Sequence, residues 1–493
     1  MTTALQLPPD RFFPPDPTER GAARAVYEET AGLPIVSPHG HVDPALLADD
    51  APFPEPTSLL VTPDHYVFRM LHSQGVALDA LGIARADGTR AEAAPRAVWQ
   101  TFCAHWHLFA GTPTRAWMEY VLHDVFGVRE APSSATADRL YDAIAERLAS
   151  PEYRPRALFE RFGIETLATT DAATDALDHH AALATEGWGV GPHGPRMIPT
   201  FRPDALVFIA RPDWRSHLDR LGELTGASID DYGAFIAALR QRREAFAALG
   251  AVATDHGAAS ARTGWLSPSE RDAVFARALA GEASEADEAA FTAHMLMAFA
   301  EMSADDGLVM QLHVGCYRNH DGPLFERFGP DRGADIPLAT EFTHALRPLL
   351  SAFGSAPGFR LVAFTLDEST YARELAPLAG HYPGLVLGPA WWFHDSIEGM
   401  LRYRERTTET AGFYNTAGFN DDTRAFCSIP ARHDLARRID AHYLGRLVAR
   451  HQLGLEEARE IGRALAYDLP RRAYNLDGAR APVVQVSTNG VAP

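Results

Sequence analysis

Cysteine is scarce in this 493-residue chain: there are three, Cys103, Cys316 and Cys427, far apart and without a CxxC pair. That excludes a disulfide framework and a thiolate zinc site, and it fits a reducing compartment. Long apolar runs are missing too. No segment approaches the roughly 18 apolar residues that a membrane span requires, and the N-terminus, MTTALQLPPDRFFPPDP, has no hydrophobic signal core. A soluble, cytoplasmic protein is expected. Positive charge is in deficit, with 45 Lys plus Arg against 64 Asp plus Glu and a net charge of −19. Such a surface repels nucleic-acid phosphates and anionic lipid headgroups. Any anionic ligand would therefore need arginines gathered locally. No GxGxxG follows a strand-like run, so nothing supports a dinucleotide-binding open sheet.

What is present is an ordinary globular balance, 46% hydrophobic and 22% charged, with enough chain for an α/β barrel and insertions. Eight short apolar or β-branched runs alternate with helix-like stretches: Leu33–Ser37, Glu165–Thr170, Arg196–Phe201, Gly250–Thr254, Leu308–Val314, Arg360–Leu366, Gly384–Trp392 and Phe413–Phe419. Eight strand–helix units predict a closed (β/α)8 barrel with a parallel sheet. Helix starts are legible at Ser267-Pro268-Ser269-Glu270, a capping box with proline in the first turn, and at Ser228-Ile229-Asp230-Asp231. The first and second runs lie more than a hundred residues apart, whereas a βα loop has roughly 2–6. Apolar residues at helical spacing over 65–71, 97–109, 115–126 and 137–148 predict a helical insertion there. The boundaries expected are 1–44 for the N-terminal segment and first strand, 45–155 for the insertion, 156–477 for the rest of the barrel, and 478–493 for an extended or mobile tail.

Almost every run ends in polar residues, which in such a barrel converge on one mouth. His39-Gly40-His41 ends the first. Residues i and i+2 of a strand share a face, so both imidazoles can reach one divalent ion. Asp422, at the end of the last run and so beside the first, is a natural third ligand, and a zinc-like ion is expected. His313, ending the fifth run, is an additional ligand or a hydrogen-bonding partner. A bare HxH is otherwise two hydrogen-bonded loop histidines, and each arginine alone is more often a surface ion pair. Arg202, Arg318 and Arg424 together, at strand ends of an acidic protein, suit a carboxylate or phosphate. Of Trp391 and Trp392, one is expected to pack outside the barrel, since neighbours on a strand face opposite ways.

These segments resemble the uronate isomerases, also called glucuronate isomerases, of the amidohydrolase superfamily. The resemblance runs from about 37 to 476 and rests on HGH at 39–41, DHYVFR at 64–69, GTPTRAW at 111–117, TTD at 169–171 and PTFRPD at 199–204. TDHG at 254–257, MQLHVGCYRN at 310–319, GPAWWF at 388–393 and NDDTRAF at 420–426 complete it. It implies a distorted (β/α)8 barrel with a helical insertion, and conversion of D-glucuronate to D-fructuronate and of D-galacturonate to D-tagaturonate through a cis-enediol. It also implies His39, His41 and Asp422 as metal ligands, usually of zinc. Arg202 and Arg424 would contact the substrate's carboxylate and hydroxyls, with His65, Tyr66, Asp255, Arg318 and Trp391 or Trp392 lining the pocket. Asp422, Tyr66 and His65 are expected as the catalytic residues, with Tyr66 and Asp422 both candidates for proton transfer. The chain departs from the family pattern at Ser37, Gly40, His394 and His320, in TTDAA, and by an alanine inserted in SIPARHD (428–434). Two rival readings are a metal-dependent hydrolase of a lactone, amide or ester, and a non-catalytic sugar-acid binder. The arginines and Tyr66 disfavour the first, and the intact HxH pair, Tyr66 and Asp422 disfavour the second. The partners expected are a small anionic sugar acid and further copies of the chain, with no nucleic acid and no membrane.

Overall fold

In the computed structural model, residues 4–188 and 196–477 are described. The expected tail at 478–493 lies outside them. Among the described residues there are eleven strands: β1 (Ile35–Ser37), β2 (Ile164–Ala168), β3 (Asp171–Ala172), β4 (Arg196–Ile198), β5 (Phe201–Arg202), β6 (Ala253–Ala258), β7 (Val309–Val314), β8 (Cys316–Tyr317), β9 (Ile336–Pro337), β10 (Leu361–Thr365) and β11 (Leu385–Leu387). One parallel sheet has the order β1-β2-β4 and a second the order β11-β10-β7-β6-β5-β3, while β8 and β9 form a separate hairpin. Because β2 runs on into β3 and β4 into β5, the two parallel sheets are one wall of a barrel, broken across two strand positions. Pro199 lies in the break, where it removes a ladder donor. Three backbone bonds hold the wall together there: Thr169 to Ile198 at 2.9 Å, Asp171 to Thr200 at 3.0 Å and Ala173 to Arg202 at 2.8 Å.

Alternation along the strands decides what enters the barrel. In β7, Val309 joins an inner cluster with Val36, Ala168, Ile198, Ala253 and Val362, while Met310, Leu312 and Val314 pack outward. Gln311 and His313 therefore point inward. The Gln311 side chain accepts from Tyr474 at 2.8 Å and closes the floor. In β6 the same period turns Ala253 and Asp255 inward and sends His256 out against Phe299.

Three expectations need correction. The eighth run, Phe413–Phe419, is not a strand: only Thr416 bridges Leu387. Gly418 stands at φ +76 with Pro470 so close that a Cβ would lie 2.4 Å from it, so the run bends where a strand would have to continue. The eighth position is nonetheless made by Leu387 bonding to Asn415 and Ala417 at 2.9 and 2.8 Å, and by the His41 amide donating to Thr423 at 3.0 Å. The seventh run is shorter than expected, ending at Leu387, so Trp391 and Trp392 occupy a turn in which strand alternation does not apply. The helix expected from Ser228 begins three residues later, capped by Asp231 on the Ala234 amide. The Ser267 capping box forms as expected. Between β1 and β2 the chain is helical, including His65–His72, Pro95–Ala104, Pro113–Tyr120 and Ala137–Leu148. Among the described residues no helix is long and apolar enough to cross a membrane.

Candidate active site

The chain leaves β1 at Ser37 and places His39 in full burial and His41 at the edge of the mouth. Both Nε2 atoms face the same oxygen, Asp422 Oδ1, at 3.3 and 3.0 Å. Asp422 Oδ2 accepts from Trp391 Nε1 at 2.6 Å. Asp422 sits at φ +43, a left-handed conformation that aspartate adopts more readily than most residues. His39, His41 and Asp422 each offer a ligand atom, all within 4.8 Å of one another. Two imidazole nitrogens and a carboxylate oxygen fit a divalent ion of the zinc kind. Burial lifts Asp422 but its two histidines outweigh this and hold the carboxyl well below the usual range.

His313 stacks on His39 at 4.7 Å and on Phe364 at 4.0 Å. Its Nδ1 lies 2.6 Å from Asp255 Oδ1. His39, Asp255 and His313 form a second group with the geometry of a metal site. Asp255 also meets Arg202 at 3.4 Å, and Arg202 Nε donates to Asp204 at 2.8 Å. Asp204 is fixed in turn by the Gly257 amide at 3.1 Å. At the end of β10, Asp367 turns away to the amides of Thr340 and Ser369, so this strand contributes no ligand to the mouth.

The helix His65–His72 is capped by Asp64 on the Tyr66 amide, which carries Tyr66 and His65 to the rim. The Tyr66 hydroxyl donates to Asp395, 3.0 Å from both carboxylate oxygens. Burial, then the charge of Asp395, pushes its pKa well above the ordinary tyrosine value. Burial lowers His65 to about 3, keeping the ring neutral. Trp392 meets His65 edge-on at 5.1 Å, and Arg318 lies 5.6 Å over the Trp392 ring. Both tryptophans thus face the mouth, against the expectation that one would pack outside. Arg318 pairs with Asp335 at 2.8 Å, and Arg424 with Asp331 at 2.8 Å. Four buried polar atoms along this mouth have no partner among the described residues: His39 Nδ1, His65 Nε2, His313 Nε2 and Trp392 Nε1.

Several site neighbours were missed by sequence reasoning. Asp395 accepts from Arg432 at 3.1 Å as well as from Tyr66, and Arg432 lies 3.6 Å over Trp117. Asp421, beside the candidate ligand, meets His433 at 3.1 Å. Arg432 and His433 come from the first turn of the helix Ile429–Ala449, within the SIPARHD segment. The only sequence signal for them is an arginine and a histidine closely following NDDTR.

The parallel wall, the helices around it and the donor set at its carboxyl mouth define the class: an α/β-barrel protein with a candidate metal centre. A family profile described as glucuronate isomerase matches residues 18–474. The chain is 56% identical over 477 residues to the uronate isomerase of Rhizorhabdus wittichii, covering 97% of this chain and 100% of that one. It is 54% identical over 476 residues to that of Xanthomonas campestris pv. campestris, strain B100, with the same coverage. The crystal structure of glucuronate isomerase from Caulobacter crescentus superposes with a TM-score of 0.93 at 49% identity, covering 96% of this chain and 98% of that one. The uronate isomerase of Thermotoga maritima superposes at 0.87 with 27% identity, covering 95% and 99%. The chain belongs to the glucuronate isomerase family, and the (β/α)8 assignment holds.

Proposed function

We propose that this chain interconverts aldo- and ketohexuronates, D-glucuronate with D-fructuronate and D-galacturonate with D-tagaturonate. The relatives described above carry the name of that activity. The observation that carries the reading at this site is the set of four unpartnered buried polar atoms lining a mouth with Arg202, Arg318 and Arg424. Buried polar groups are almost always paired, so this mouth suits a ligand that is itself polar along its length and anionic at one end. An open-chain uronate is such a molecule.

His39, His41 and Asp422 would hold the divalent ion, with His313 as an additional ligand or as the partner of Asp255. When bound, that ion supplies a Lewis acid for an oxygen of the substrate. Isomerisation moves hydrogen from C2 to C1 and a proton between the oxygens on those carbons. A carboxylate at the mouth, Asp422, suits removal of the C2 proton and its return to C1. Tyr66 suits the oxygens, because its hydroxyl stays protonated and rests on Asp395, which can take or give the proton as Tyr66 exchanges it. Neutral His65 offers Nε2 as a further hydrogen-bonding atom. The chain contains no lysine, so a Schiff base on the substrate carbonyl is closed to it. The test is incubation with each uronate while following ketose formation by NMR. Turnover of neither, with hydrolysis of a lactone or amide instead, overturns the proposal.

A further inference from the structure

The three arginines of the mouth are not equally available to a substrate. Arg202 is held between Asp204 and Asp255, and Arg318 by Asp335. Asp255 and Asp335 are each 2% exposed at the side chain, fixed respectively by His313 and by the Asn319 amide at 2.7 Å. Neither can leave without stranding a buried charge. Arg424 differs. Its one salt bridge among the described residues is to Asp331, whose side chain is 41% exposed on the loop between β8 and β9. The other oxygen of Asp331 lies 4.0 Å from Arg318. The carboxylate of Asp331 thus sits where two mouth arginines converge, on a half-buried loop residue at φ +61.

Charge makes this pairing matter. Four carboxylates (Asp204, Asp255, Asp331 and Asp335) hold these three arginines, so an anion that reaches one of them adds to an excess of negative charge around them unless one carboxylate withdraws. Asp331 is the one whose departure leaves nothing buried and unpaired. We propose that Asp331 is a placeholder carboxylate, holding Arg424 in the empty site and ceding it to the carboxylate of an entering sugar acid. This rests on the uronate reading above, and it makes Asp331 a determinant of specificity. A neutral sugar offers no charge to replace the one that must leave.

The test uses L-gulonate, the uronate whose aldehyde has been reduced to an alcohol, which cannot isomerise. Its affinity is measured by calorimetry for the metal-loaded full-length protein and for Asp331→Asn, a residue that tolerates the left-handed turn. Asp331→Asn is expected to bind L-gulonate about fivefold more tightly, the upper end for an ion pair this exposed. In an Arg424→Met background the gain should fall to about twofold or less, since only the 4.0 Å contact with Arg318 is left to release. Unchanged or weaker binding by Asp331→Asn that still melts cooperatively overturns the proposal, since Asp331 would then orient Arg424 and not compete for it. Uronate turnover by the unaltered protein, run alongside, separates the two failures. If it turns over and the affinities are equal, only the role of Asp331 is lost. If it neither turns over nor binds L-gulonate, the substrate assignment falls and the placeholder with it.

Discussion

Replacing Asp422 by asparagine keeps the size of the side chain and its left-handed backbone, yet removes the charge and the basicity. The cost can be worked from its contacts. Oδ1 faces His39 and His41 at 3.3 and 3.0 Å, and Oδ2 accepts from Trp391 at 2.6 Å. An amide has one oxygen. If it turns to the histidines, its NH2 meets the Trp391 N–H, donor against donor; if it turns to Trp391, the NH2 faces the two imidazoles. Either way one buried contact is lost, costing about 1–3 kcal/mol. Losing a general base adds about 10²- to 10⁴-fold in rate. The expected result is a fall in kcat of at least about 10²-fold with the melting transition intact. NMR of ketose formation gives the rate, and elemental analysis gives the metal content of the same sample. Lost rate with metal retained assigns proton transfer to Asp422, and loss of both assigns it the ligand role. Turnover close to that of the unaltered protein, with metal retained, would refute both roles and the placement of the site at the eighth strand position.

About one divalent ion per chain is expected, lost on chelation and on His39→Ala or His41→Ala, and active protein free of metal by elemental analysis would remove the ion from the reaction. Arg202→Lys keeps the charge between Asp204 and Asp255 but loses the guanidinium fork, so KM should rise about tenfold. Arg202→Met strands both acids and should cost about 3 kcal/mol of stability in urea denaturation; turnover of a neutral aldohexose as fast as a uronate would contradict the assignment of the arginines. Burial raises the Asp171 carboxyl from 3.8 to about 7, against the hydrogen bond from Thr169. A carboxyl raised on folding stabilises the native state most below pH 4 and loses that contribution as pH climbs to about 7, so Asp171→Asn should flatten the loss between pH 4 and 8. A urea midpoint for Asp171→Asn that falls as steeply with pH as that of the unaltered protein would contradict this. A Cβ at Gly388 would lie 2.5 Å from the Phe364 ring, which stacks on His313, so Gly388→Ala should lower both Tm and kcat.

How much of this was legible depends on how local each determinant is. β7 was readable because its apolar run is local to six consecutive residues, and His313 could be placed at its end; that His313 points inward is settled by which neighbours pack on each face, which only the folded wall shows. The Ser267 cap was readable for the same reason: every atom involved lies within four residues. The eighth run failed because its bend is set by Pro470, 52 residues beyond Gly418 and visible only once the helix Leu469–Ala473 is docked. Ser228 failed as a cap because Asp231 offers a carboxylate acceptor three residues on, which takes the Ala234 amide at 2.8 Å, while the Ser228 hydroxyl donates to Asp230 at 2.6 Å. Both are cases of tertiary or short-range competition between groups that fit the same role.

The site divides along the same line. His39, His41 and Asp422 could be named because ligand chemistry is written in residue type and because strand ends converge. What the sequence could not show is that each arginine of the mouth already holds a carboxylate: Asp204, two residues on, and Asp255 for Arg202, Asp335 for Arg318, Asp331 for Arg424. An arginine counted as an anion receptor from its position alone is therefore overcounted. In a protein of net charge −19, the affinity for an anion depends less on how many arginines reach the mouth than on which of their partners can leave. Two of the three hold partners that are buried and fixed, so discrimination for a charged sugar falls mainly on the third, whose partner stands on a loop with its side chain 41% exposed.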